Sequence, residues 1–307
     1  MFDKILFATT ASPTCDNAAN VAFDLAKKYK SRLFIYHAFG IPSRGASPFA
    51  MDVRTGEEEV VGEDYTAWVK EEMKNTYEKQ LREVENCVVE CTVGVPHREI
   101  LRKARQESVD LIVMGAHTRQ EDVGASRYRN IVGSTMQKVA KSARCPVLII
   151  SRPCATCFWY FNAIVFGTDF SKAAYSAFLF ALKVAKEVGC KLYLFHAVDL
   201  TETRIGREQD QRSIEGRIEE AKQKMNRLYI PKMKGFDNYQ IEVWEGIPHI
   251  EILKFAREKS GDLIVMSHHT HEIDPENALL GSTVEQVVLR SACPVASVNH
   301  PDKVEME

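Results

Sequence analysis

The chain has 307 residues, 45% of them hydrophobic and 27% charged, and its 40 Lys and Arg nearly balance 42 Asp and Glu for a net charge of -2. This composition suits a globular protein with core enough for about two domains of roughly 150 residues, and it excludes disordered, collagen-like and polyanion-binding classes, so no nucleic-acid partner is expected. No apolar run approaches the roughly 20 residues that span a bilayer, and the opening MFDKILFATT reads as a strand rather than a signal peptide, so a cytoplasmic protein without a membrane partner is expected.

In chain order, a β-branched and aromatic run at Ile5 to Thr9 precedes a small-residue turn, an amphipathic helix and a second apolar run ending at His37. That succession predicts a βαβ unit. Ile41 to Gly62 is rich in Gly, Pro and acids and longer than most connections, which predicts a solvated excursion. A charged amphipathic helix over about Tyr65 to Glu85 leads to a strand at Val88 to Val93 and a helix opened by Pro96 and His97. A strand at Leu111 to Met114, a loop, a short helix from Ser134 and a last strand at Val147 to Ser151 complete the set. Arg152 to Tyr160 reads as a short interdomain linker.

The same elements then recur. Strands are expected at Ile164 to Thr168, up to His196, at Gln240 to Trp244, Leu263 to Met266 and Val295 to Asn299, with helices after Ser171, over about Arg207 to Tyr229, from Pro248 and His249, and from Ser282. Gly94 to Thr118 and Gly246 to Thr270 are identical at 16 of 25 positions at an offset of 152 residues, which marks two copies of one folding unit. The expected domains are 1–151 and 161–300, with a linker at 152–160 and a tail at 301–307. Five strands alternating with four helices in each copy, with strands such as Leu111 to Met114 apolar at every position, predict an α/β fold of two doubly wound, five-stranded parallel-sheet domains. Such sheets bind ligands beyond the carboxyl ends of the strands, where strand order reverses.

Eight cysteines in a cytosolic chain are expected as thiols, with Cys145 and Cys293 as small buried space-fillers before each last strand. Cys154 and Cys157 form one CxxC, whereas a structural zinc site typically takes two such pairs, so free linker thiols are the preferred reading. His268, His269 and His271 are spaced closely enough to ligate Zn²⁺ with Asp169 nearby, but no cysteine or further carboxylate has a fixed spacing to them. A polar, solvent-facing loop is preferred there, and no metal site is expected.

Several segments carry a family resemblance: Thr168-Asp169-Phe170-Ser171, the pairs His37-Ala38 and His196-Ala197, Met114 to His117, Gly133-Ser134-Thr135, Gly281-Ser282-Thr283 and the two Cys-Pro-Val segments. Together they resemble the universal stress protein family in its tandem two-domain form. The resemblance implies Rossmann-like, adenine nucleotide alpha hydrolase-like domains paired through their last strands, Val147 to Ser151 with Val295 to Asn299, as an internal pseudo-dimer open to further homodimerisation. It implies a stress-linked binding role with an unidentified protein partner, and ATP or AMP as ligand, with Mg²⁺ only alongside nucleotide. Nucleotide contacts would fall on Thr9, Ala38, Met114, Gly115, Gly133, Ser134 and Thr135 in the first copy, and on Thr168, Asp169, Ala197, Met266, Ser267, Gly281, Ser282 and Thr283 in the second.

Neither copy matches the family's nucleotide pattern, G-x-x-G, nine residues, then G-[S/T], in full. The first keeps Gly115, but Thr118 replaces the second glycine, 14 residues separate Thr118 from Gly133, and Thr10 stands where the second copy has Asp169. Its long loop, Arg119 to Val132, could cover the crevice or offer Arg127 and Arg129 to phosphates. The second keeps Asp169 and a 10-residue gap, but Ser267 and Thr270 replace both glycines. A β-carbon at those places hinders close phosphate approach, so triphosphate binding should suffer more than adenosine binding there. No G-x-S-x-G, Walker A or HExxH motif is present, and Ser134 and Ser282 read as helix caps or phosphate contacts, so no catalytic residue is expected. A weak ATP hydrolase or phosphotransferase using Asp169, a metal ion and Ser282 stays open, as does a ligand-free interaction scaffold.

Overall fold

The computed structural model describes residues 1–12, 15–40, 49–51, 58–60, 63–116, 134–151, 161–199, 211–268 and 282–299. The first half contains β1 (Lys4–Ala8), α1 (Asp16–Tyr29), β2 (Arg32–Gly40), β3 (Phe49–Met51), β4 (Glu58–Val60), α2 (Glu63–Thr76), α3 (Glu78–Leu81), β5 (Cys87–Gly94), α4 (Pro96–Gln106), β6 (Leu111–Gly115), α5 (Ser134–Ser142) and β7 (Val147–Ile150). The second contains β8 (Ala163–Gly167), α6 (Lys172–Val188), β9 (Lys191–Val198), α7 (Gln211–Tyr229), β10 (Tyr239–Glu245), α8 (Pro248–Glu258), β11 (Leu263–Met266), α9 (Ser282–Arg290) and β12 (Val295–Ser297).

Local chemistry sets several boundaries. The Ser171 hydroxyl caps α6 by accepting from the Ala174 amide at 3.0 Å, and Gly189 ends the helix at φ +74°. Pro96 and Pro248 open α4 and α8, where a missing N–H costs no helical bond. Two expectations need correction. His37 and His196 lie inside their strands, which run on to Gly40 and Val198. The helix expected over Tyr65 to Glu85 breaks at Tyr77 (φ -107°), just as α7 gives way to a 3-10 turn, Ile230–Lys232, at Tyr229 (φ -107°). At both breaks the tyrosine ring turns into the core, and in the second half Pro231 also forbids a continued helix. Within 41–62, β3 and β4 pair antiparallel, a local order not anticipated for that segment.

Ten strands form one sheet in the order β10-β9-β8-β11-β12-β7-β6-β1-β2-β5. Each half is parallel throughout, with its first strand at the centre, the arrangement expected from strict alternation of strand and helix. The halves meet where β12 pairs antiparallel with β7, Val295 facing Ile149, Ala296 facing Leu148 and Ser297 facing Val147. The last strands therefore do pair. Because this is the one antiparallel step, the carboxyl edges of the two halves point in opposite directions.

Strand residues alternate between two apolar layers. Ile5, Phe7, Leu148, Ile164, Phe166 and Ala296 face α1, α2, α6 and α7, whereas Leu6, Ala8, Val147, Val165 and Phe195 face α4, α5, α8 and α9. Each layer is continuous through both halves, as in Phe2 against Phe180 at 6.4 Å. Polar ties reinforce the joint: Gln137 Nε2 donates to Glu285 Oε1 at 3.0 Å and Asn299 Nδ2 to the Ala140 carbonyl at 2.5 Å. Among the described residues no helix is long and apolar enough to cross a membrane.

Candidate functional site

The site grows from the turn between β8 and α6. Thr168 donates its amide to the Phe195 carbonyl at 3.0 Å, and its Oγ1 lies 2.6 Å from the Tyr229 hydroxyl while accepting from the Phe170 amide at 2.9 Å. His196 Nδ1 donates to the Thr168 carbonyl at 2.7 Å, which fixes the ring orientation. The first half repeats this frame: Thr9 Oγ1 is 2.6 Å from the Tyr77 hydroxyl and accepts from the Ala11 amide at 2.9 Å, and His37 Nδ1 lies 2.7 Å from the Thr9 carbonyl. Burial pushes both phenols up, that of Tyr229 to about 12, so they stay protonated donors at any ordinary pH.

The turn bends through a left-handed residue in both halves, Phe170 at φ +63° and Ala11 at φ +53°, a conformation that non-glycine residues seldom adopt. The frame keeps it regardless of side chain. What differs is the neighbouring residue. Asp169 Oδ1 accepts from the Ser171 amide at 2.9 Å, while its Oδ2 makes no hydrogen bond among the described residues. In its place Thr10 turns its hydroxyl to Ser12 Oγ at 2.8 Å and Cys15 Sγ at 3.4 Å, so the first half offers no carboxylate here.

Around the second turn opens a cavity of about 870 Å³. It is walled by the turn, by His196, Ala197 and Asp199 of the β9 end, by Arg217, Glu220 and Lys224 of α7, by Met266 and Ser267 after β11, and by Thr283 and Val284 of α9. This is the crevice beside the central strand where β8 borders β9 on one side and β11 on the other. Gly167 lets α8 come close, since a β-carbon there would sit 2.5 Å from Ile252 Cδ1. Six of the residues expected in the second half, Thr168, Asp169, Ala197, Met266, Ser267 and Thr283, line this one cavity. Ser282 opens α9 beside it, and Gly281 lies outside the described residues.

In the first half Thr9, Ala38 and Met114 are buried at the corresponding strand ends, Gly115 ends β6, and Ser134 and Thr135 open α5. Gly133, His117, the 119–132 loop with Arg127 and Arg129, and Cys154 and Cys157 lie outside the described residues. His268 departs from expectation: it is 4% exposed, not solvent-facing, and its amide donates to Asn299 Oδ1 at 2.6 Å, because the chain leaving β11 stays under the end of β12. His269 and His271 lie outside the described residues, among which no group of three or more His, Cys, Asp and Glu is placed to hold a metal ion. Cys145 is buried as expected, and Cys293 is half-buried with its thiol pushed up to about 11 by burial.

Sequence reasoning missed Tyr77 and Tyr229, although they stand at the same 152-residue offset as the repeat and extending the self-comparison would have found them. It also missed Arg217 and Lys224, whose counterparts in the other copy, Tyr65 and Glu72, are of a different kind and so draw no attention to them. His196 carries a pH consequence. Burial lowers its pKa, opposed by the Thr168 carbonyl and Asp169, with Lys224 and Arg217 lowering it further. The folded ring therefore refuses a proton that the unfolded chain accepts below the ordinary value of 6.5, so its contribution to stability is complete above pH 6.5 and is lost as pH falls through the depressed folded value. His196→Gln is expected to flatten the fall of the urea midpoint between pH 7.5 and pH 5.5; an unchanged slope would assign the fall to other groups.

The sequence profile of the universal stress protein family matches this chain twice, over residues 1–151 and 161–299. The chain is 33% identical over 157 residues to universal stress protein MJ0531 of Methanocaldococcus jannaschii, an alignment covering 50% of this chain and 84% of that one. It is 29% identical over 168 residues to universal stress protein MJ0577 of the same organism, covering 50% of this chain and 96% of that one. Among solved structures, a universal stress protein from Archaeoglobus fulgidus matches 97% of each chain with a TM-score of 0.67 at 20% identity, a likeness of fold.

Proposed function

This chain belongs to the universal stress protein family, and from that premise we propose that its second half binds an adenine nucleotide, ATP or AMP, within a stress-linked regulatory protein. The observation that carries the reading is the cavity at the crevice, with the open Oδ2 of Asp169 on one wall and the start of α9 on another. A carboxylate oxygen with spare lone pairs suits the two hydroxyls of a ribose, and the unpaired amides at a helix start suit phosphate. Ser267, where the family pattern has a glycine, is buried at the β11 end, so this half favours the adenosine part over a long phosphate chain. Mg²⁺ enters this reading only with a triphosphate. The first half, with Thr10 in place of the acid, contributes architecture, and the β7–β12 pair makes one chain the equivalent of a two-domain dimer.

Isothermal titration of the full chain with ATP and AMP tests the reading. Both nucleotides are expected to bind, and Asp169→Ala is expected to weaken each by about tenfold or more, the scale of one hydrogen bond to a charged group. Binding unaffected by Asp169→Ala would place the nucleotide elsewhere. No binding by either nucleotide would leave the ligand-free scaffold.

A further inference from the structure

The cavity holds charge that the expected nucleotide contacts do not use. Arg217 and Lys224 stand seven residues apart on α7, two helical turns on one face, and both line the cavity. Neither forms an ion pair among the described residues, although Asp169, Asp199 and Glu220 line the same space. Arg217 donates one N–H to the Asp199 carbonyl at 3.0 Å, which uses one of its five donors. The Lys224 ammonium sits 4.5 Å from the centroid of the Phe170 ring, and that ring lies 4.5 Å from the His196 ring, so the cation is parked on an aromatic face beside Asp169. The Asp199 carbonyl and the Phe170–His196 ring pair place both heads on the β9 side of the cavity, while α9 begins at the β11 side.

The fold does not require these charges. At the 152-residue offset that equates Tyr229 with Tyr77, the positions of Arg217, Glu220 and Lys224 hold Tyr65, Trp68 and Glu72. There Tyr65 and Trp68 pair their rings at 5.8 Å, and Trp68 is 46% exposed. The same helix in the same place thus supports an aromatic, acidic face in one half and a cationic one in the other.

We propose that Arg217 and Lys224 are an anion-recognition pair on the ribose side of the second-half cavity, and that its preferred ligand is an adenine nucleotide phosphorylated on the ribose as well as at the 5′ position. The proposal rests on the adenine-nucleotide reading above. Asp169 would hold the one ribose hydroxyl left free, the start of α9 the 5′ phosphate, and the α7 cations the second phosphate, offsetting its repulsion by the Asp169 carboxylate. An arginine fork with unused donors and an ammonium resting on an aromatic face suit a phosphate dianion.

Titration of the full chain with AMP, adenosine 3′,5′-bisphosphate and adenosine 2′,5′-bisphosphate at low ionic strength tests it, because salt screens such contacts. At least one bisphosphate is expected to bind about tenfold or more tighter than AMP. Arg217→Met and Lys224→Met should each lower bisphosphate affinity by a larger factor than AMP affinity and so erode that advantage, and Lys224→Arg should keep it, since the charge is retained. Both positions are partly exposed, and far-ultraviolet circular dichroism checks that the variants fold. AMP binding with no bisphosphate advantage, or an advantage that survives the double Met variant, overturns the proposal alone. Failure of all three compounds and of ATP to bind overturns it together with the reading it rests on.

Discussion

Replacing Leu148 with Asp is expected to destabilise the chain by about 4 kcal/mol or more, because it removes a fully buried side chain and leaves an unpaired carboxylate in an apolar layer. Leu148 pairs with Ala296 across the only antiparallel step of the ten-stranded sheet, and both residues are 0% exposed within the layer shared by α1 and α6. The damage therefore falls on the joint between the halves rather than inside one of them. Urea denaturation followed by circular dichroism reads the loss. A shift under about 1 kcal/mol would show that the joint is solvated and that each half carries its own stability.

Phe255→Ala is expected to cost about 3–5 kcal/mol, the range for emptying a buried phenyl site. Phe255 on α8 is fully buried in a four-ring cluster, 4.7 Å from Phe195, 5.2 Å from Trp244 and 5.3 Å from Tyr193. Its counterpart at the 152-residue offset is Lys103, which packs its ammonium over Phe34 at 4.9 Å and pairs with Glu90 at 2.5 Å and Glu107 at 3.0 Å. Burial works against that charge, but Glu90 and Glu107 more than offset it, leaving the Lys103 pKa raised. Lys103→Ala is expected to cost about 1 kcal/mol, since a part-exposed ion network recovers much of its solvation when broken. The comparison by thermal or chemical denaturation separates two solutions to one packing position, and equal losses would overturn it.

That pair of residues also shows how far the sequence was legible. The strands, the helices and their order could be read because the apolar periodicity was written twice, so accidental residues in one copy were exposed by the other. The crevice could be located from topology alone, whereas Asp169 was singled out through the family resemblance. The Thr–Tyr–His frame was hidden because Tyr229 and Tyr77 approach Thr168 and Thr9 from 61 and 68 residues away, a contact set by tertiary packing. The helix break at each tyrosine follows from the same contact, which no local propensity encodes. Arg217 and Lys224 were hidden for the opposite reason: on a charged amphipathic helix, cations look like an ordinary solvated face until the cavity beneath them is known.

The antiparallel step at β7 and β12 also sets where the two crevices lie. Since the carboxyl edges of the two halves point opposite ways, the second-half cavity and the Tyr65–Trp68 ring pair of the first half lie on opposite rims of one sheet, so substitutions at one rim leave the other untouched except through the shared apolar layers.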